Sequence, residues 1–99
     1  MKNIELNKLV AELGKAEIPF EIYPYHMMEQ DYFQVCYPNK QNCIIDAVST
    51  PYTYGGKDGL IEIMWESRWE ADDVLGWLTA EETFPYFLEA FVKNNNVGD

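Results

Sequence analysis

Two cysteines, one histidine and seven basic residues are all that this 99-residue chain offers in three classes on which much protein chemistry depends. The shortage of base excludes the ordinary nucleic-acid binder. Seven Lys and Arg stand against seventeen Asp and Glu, for a formal charge of −10, and such a field repels phosphate backbones and anionic membrane surfaces. Lys2, Lys8, Lys15 and Lys40 are too scattered to make a basic patch. No run approaches the roughly 20 apolar residues of a spanning helix. The opening MKNIELNKLVAELGK is charged where a signal peptide is apolar, so the expected location is the cytoplasm. Thiols there stay reduced, and Cys36 and Cys43 are expected free; they flank YPNKQN, however, and a hairpin would make them neighbours, which leaves a disulfide as the open alternative.

With so few soft ligands, metal chemistry is poorly supplied. His26, Cys36 and Cys43 give three ligands at most, even with Met27 and Met28 adjacent, where a structural zinc takes about four. No metal or cofactor is expected. Cys36 with His26 is the one conceivable nucleophile and base, and neither cysteine sits among cations or at a helix start that would lower its pKa. YGGKDGL lacks the spacing and the Ser or Thr of a phosphate loop. Acids abound, and Glu21, Asp46 and Glu62 fall in expected strands, but general acid–base work depends on burial and separation that spacing does not give. No catalytic residue is nominated.

What is present is a foldable composition. Hydrophobic residues make up 47 % and aromatics 15 %, well above disordered chains, and the length suits one small domain. That domain is expected over 1–93, with 94–99 a frayed tail. The charge is uneven: residues 1–45 carry six acids and four bases, net −2, and residues 46–99 carry eleven acids and three bases, net −8.

The stretch CIIDAVSTPYTYGGKDGLIEIMW reads as a central hairpin. Ile45, Ala47 and Ser49 alternate on one arm and Ile61, Ile63 and Trp65 on the other, while Gly55, Gly56 and Gly59 offer positive φ for the reversal. Upstream, Leu6, Leu9, Val10 and Leu13 mark an amphipathic helix from about Asn3 to Lys15, with Asn3 as N-cap. FEIYPYHM is a strand that Pro24 marks as an edge or a bulge, and YFQVCY is the next. Residues 60–70 also show a four-residue spacing of Ile61, Trp65 and Trp69, but Glu62, Glu66 and Glu70 would repel along a helix, so a strand is preferred. VLGWL is a candidate extra strand. Thr79 and Glu82 form a capping box, and Phe84, Phe87, Leu88, Phe91 and Val92 form the stripe of a second helix that Pro85 interrupts. The expected fold is α+β: a two-layer sandwich of three to five mostly antiparallel strands, with the N-terminal and C-terminal helices on one face.

YTYGGKDGLIEIM and DDVLGWLTAEETF resemble segments of small uncharacterised proteins of Firmicutes phages and prophages, over about residues 46–91. The resemblance carries a family and no activity. EETFPYFLEAF departs from it, since the proline and extra phenylalanines interrupt the helix.

Function therefore rests on surface chemistry. Trp65, Trp69 and Trp77 interleave with Glu62, Glu66, Glu70, Asp72 and Asp73, and tryptophans anchor interfaces while acids steer basic partners. The expected interaction residues are Trp65, Glu66, Trp69, Glu70, Asp72 and Asp73. They suit a non-enzymatic module that binds a basic host or phage protein, one version being a nucleic-acid mimic. The sheet face away from the helices offers a route to homo-oligomers. The alternative is a small enzyme or ligand-binding domain with a pocket between sheet and helices.

Overall fold

The computed structural model describes residues 3–65 and 73–95. Helix α1 (Ile4–Lys15) leads into strands β1 (Glu21–Met27), β2 (Gln30–Tyr37) and β3 (Ile45–Val48), a short 3-10 turn at Gly56–Asp58, strands β4 (Ile61–Trp65) and β5 (Leu75–Leu78), and helix α2 (Ala80–Asn95). The strands form one sheet in chain order, each antiparallel to the next. This is the α+β fold read from the pattern, with a terminal helix at each end flanking the sheet.

Register explains the core. Val35 lies opposite Ala47 and Ala47 opposite Ile63, while Tyr37, Ile45 and Trp65 form the adjoining row. Side chains on one face alternate along each strand, so these residues and Ile61 all point to one side, where Leu6, Leu9, Leu13, Phe87 and Ala90 complete a buried core. The alternation settles residues 61–65 as strand: Ile61, Ile63 and Trp65 are buried, and Glu62 and Met64 are half-buried on the other face. β1 is an edge strand, and it accommodates Pro24 opposite Phe33 without a break in register.

Several local readings need correction. Asn3 occupies the N-cap position of α1, but its side chain makes no capping hydrogen bond. Among the described residues its Oδ1 is buried without a partner. The α2 stripe is rotated: Ala80, Thr83, Phe87 and Ala90 are its buried residues, Phe84 and Phe91 are half-buried, and Leu88 and Val92 are exposed. At roughly 100° per residue Leu88 stands a quarter turn from Phe87, and the small Ala80 and Ala90 let the Phe87 arc seat on the core. α2 also runs on to Asn95, and Asn94 Nδ2 donates to the Tyr37 hydroxyl at 3.2 Å, so the first two residues of the expected tail are helical.

Two devices fix where α2 begins. The Glu82 N–H donates to Thr79 Oγ1 at 3.2 Å, and Glu82 Oε1 accepts from the Thr79 N–H at 3.0 Å, which is the capping box. Glu5, in the first turn of α1, accepts from the Ala80 N–H at 2.8 Å. One helix thus caps the other, and that hydrogen bond, with help from Lys8 at 3.3 Å, holds the Glu5 carboxyl below its ordinary pKa. Pro85 lies inside the helix, past the first turn.

The sheet face away from the helices is partly covered. The turn after β2 lays Lys40 across it: the Lys40 N–H donates to Glu21 Oε1 at 2.8 Å, and its Nζ donates to Gln34 Oε1 at 2.9 Å and sits 4.7 Å from the Tyr23 ring centroid. Gln34 in turn donates to Asp46 at 2.7 Å. Cys36 is fully buried on this face, and both cysteines are free thiols. Burial, reinforced by the neighbouring Cys36, pushes Cys43 up to about 12.

Candidate functional site

The β3–β4 connection is a long loop with a tight skeleton. At its neck, Ser49 Oγ donates to the Leu60 carbonyl at 2.8 Å. Thr50 and Thr53 then build a closed turn: the Thr50 N–H donates to Thr53 Oγ1 at 2.9 Å, the Thr53 hydroxyl donates back to the Thr50 carbonyl at 2.9 Å, and the Tyr52 N–H donates to Thr50 Oγ1 at 3.1 Å. Hydroxyl side chains bonding to nearby backbone are the standard way to hold a turn without regular structure. The Tyr54 N–H donates to Glu62 Oε2 at 2.7 Å, so a β4 carboxylate anchors the loop's far side.

The loop is also fastened to β5. The Trp77 N–H donates to the Tyr54 carbonyl at 3.1 Å, and the two backbones approach so closely that only glycine fits on either side. A Cβ on Gly55 would come within 2.8 Å of the Trp77 Cα, and one on Gly76 within 2.2 Å of the Tyr54 Cβ. Gly55 and Gly59 take positive φ as the turn requires, whereas Gly56 does not; it is confined by the Thr50 carbonyl, 1.6 Å from where a Cβ would sit. Trp77 itself holds φ +61, an unfavourable region for a bulky residue that persists only where the surroundings enforce it.

This fixed skeleton displays three large rings to water. Tyr52 is 68 %, Tyr54 60 % and Trp77 61 % exposed. With Pro51 and Lys57 they line a shallow groove of about 170 Å³, smaller than the ~300–1,000 Å³ usual for small-molecule sites. Among the described residues, the two phenol hydroxyls and the indole N–H make no hydrogen bond within the chain, so they are available to a partner. A wider cleft of about 690 Å³ lies between the helices, lined by Lys8, Lys15, Glu12, Glu81 and Phe84 among others. At the α2 N-terminus beside it, the Ala80 N–H is taken by Glu5 and the Glu82 N–H by Thr79.

The residues nominated from sequence fare differently. Trp65 is 3 % exposed, packed in the core with Lys93 Nζ 5.7 Å from its ring centroid. It cannot serve as a surface anchor, because the alternation that buries Ile61 and Ile63 buries it too. Asp73 is exposed. Glu66, Trp69, Glu70 and Asp72 lie outside the described residues. The three strand carboxylates have structural partners: Glu62 holds Tyr54, Glu21 holds Lys40, and Asp46 accepts from Gln34, its pKa raised chiefly by burial. His26 Nδ1 pairs with Asp31 Oδ1 at 2.8 Å on the exposed β1–β2 hairpin. Among the described residues no three His, Cys, Asp or Glu side chains group closely enough to hold a metal, and no helix is long and apolar enough to cross a membrane.

Tyr52 and Tyr54 lie outside the tryptophan and acid cluster to which the sequence points. Their signal was legible: two aromatics spaced by two in a loop of Thr, Pro and Gly have no core face to turn toward. No protein-family model, curated protein or solved structure matches this chain.

Proposed function

We propose that this chain is a non-enzymatic protein-binding module of the phage and prophage type, acting in the cytoplasm on a basic host or phage partner. The observation that carries the reading is the display of Tyr52, Tyr54 and Trp77 on a hydrogen-bonded, glycine-locked skeleton. Folding alone gives no reason to hold three large rings in water, whereas exposed aromatics with little freedom to lose are what interface anchors require. The half of the chain that bears them, residues 46–99, carries net −8, which steers a cationic partner and repels nucleic acid. Trp65 leaves the set of contact residues; Asp73 stays in it, with Glu66, Trp69, Glu70 and Asp72 as sequence-level members. The alternative of an enzyme with a pocket between sheet and helices has less support, since Leu6, Leu9, Leu13, Ile63 and Phe87 fill that space.

Capture of partners from host and phage lysates tests the reading with three proteins: wild type, Trp77→Ala, and a variant with Glu66, Glu70, Asp72 and Asp73 changed to their amides. Both variants are expected to lose the partner, and the wild type is expected to lose it as added salt shortens the screening length below about 8 Å. Equal recovery by all three at low and high salt rejects it.

A further inference from the structure

Cys36 and Cys43 are drawn together by the way the chain turns from β2 into β3. Cys36 lies opposite Asp46 in the ladder, and Tyr37 opposite Ile45. Beyond that pair, the Ile44 N–H donates to the Tyr37 carbonyl at 2.7 Å, and the Lys40 N–H reaches back to Glu21, the β1 residue opposite Cys36. Residues 38–44 therefore curl over the sheet face on which Cys36 lies, and the two thiols meet there within side-chain hydrogen-bonding reach of each other. Their exposure differs. Cys36 is fully buried, whereas Cys43 is half-buried, with its Sγ donating to the Ile45 carbonyl at 3.4 Å. Among the described residues they do not group with a third metal ligand, so the chemistry they offer is that of a dithiol.

We infer that Cys36 and Cys43 form a reversible redox site, which closes an intramolecular disulfide on meeting a low-molecular-weight disulfide such as oxidised glutathione. Cys43, the accessible thiol, loses its proton and attacks one sulfur of the oxidant; the oxidant's S–S bond breaks, a mixed disulfide forms on Cys43, and one small thiolate leaves. Cys36 then loses its proton and attacks Cys43 Sγ, and the second small thiolate leaves. Two protein thiols are oxidised, one small disulfide is reduced to two thiols, and the two protons released end on the leaving sulfurs. Burial is the main reason that both thiols titrate above the ordinary range, and Asp46 adds to it. The thiolate fraction at neutral pH is therefore small, which slows the exchange. The reduced form also lacks the thiolate stabilisation that makes a disulfide strongly oxidising, so proximity favours the bond once it forms. In the reduced protein the turn is held by the contacts of Lys40 with Glu21, Gln34 and Tyr23 and by the Asn42 N–H donating to Asn39 Oδ1 at 2.8 Å. The disulfide adds a covalent closure that an oxidant makes and a reductant removes, which is the use that reducing compartments find for such bonds.

The test starts from the full chain, reduced, freed of reductant and then incubated folded with oxidised glutathione, with intact mass, peptide mapping and amide hydrogen exchange as readouts. The expected product is a monomer that has lost two hydrogens and yields a linked Cys36–Cys43 peptide, and dithiothreitol should restore the starting mass. In that product the Lys40 and Asn42 amides should exchange at least about tenfold more slowly, since the closed loop has fewer open conformers. Two variants separate the roles of the thiols, each checked by its amide spectrum for the wild-type fold. Cys36→Ser should stop with one glutathione on Cys43, and Cys43→Ser should leave the buried Cys36 unmodified. A linked peptide that forms in urea and never in the folded chain overturns the inference. So does glutathione retained on both cysteines of the wild type without a link, or a dimer joined through Cys43.

Discussion

Trp65 and Trp77 carry the same side chain and do opposite work. Trp65 ends a strand whose odd positions face the core; Trp77 sits on an edge strand at positive φ with its ring in water. Alternation along LIEIMW is enough to bury the first, and that pattern outweighs the tryptophan's general preference for interfaces. The second was harder to read, because the glycine contacts that aim it run between segments distant in sequence. Trp65→Ala should cost about 3–5 kcal/mol in urea unfolding, as for a large aromatic removed from a core, whereas Trp77→Ala should stay within about 0.5 kcal/mol. Gly55→Ala should cost at least about 1–3 kcal/mol, since it combines positive φ with a clash against the Trp77 backbone. A silent Gly55→Ala would remove the lock from this account.

At the level of elements, periodicity placed both helices and the β3–β4 hairpin, because each has a single buried face in a small core. It misjudged α2 by about a quarter turn: five apolar residues are more than one arc can bury, and sequence does not say which ones the neighbouring helix leaves out. Phe87→Ala should therefore cost about 3–5 kcal/mol, and Leu88→Ala within about 0.5 kcal/mol, by the same unfolding measurement. The cap that α1 lends to α2 was not legible either, since Glu5 and Ala80 meet only in the folded chain. Glu5 has a folded pKa below its free value of 4.5. Its contribution is accordingly complete above that pH and is lost as pH falls through the depressed folded value. Glu5→Gln should lower stability by about 1 kcal/mol near neutral pH, the usual worth of a helix cap, and should flatten the loss of stability below about pH 4.5 that the wild type shows. An unchanged acid limb in the variant would assign that loss to other carboxylates.

The molecule as a whole joins a well-packed α+β core to a surface that is acidic and, at one place, aromatic. Composition gave the charge, and the pattern of alternation gave the layers. The aromatic site was hidden because it is a product of topology: β5 must pair with β4 for Gly76 and Trp77 to reach the loop that holds Tyr54. The central claim is that the chain itself, without a partner, holds these rings in a fixed array. Amide hydrogen exchange of the free protein tests it most directly. The N–H groups of Tyr54, Leu60 and Trp77, each hydrogen-bonded within this assembly, should exchange far more slowly than in an unstructured chain and stay protected in Trp77→Ala, which removes the ring but keeps the backbone. Exchange of those three amides at the unstructured rate would mean that the loop is not held before binding, and would contradict the account.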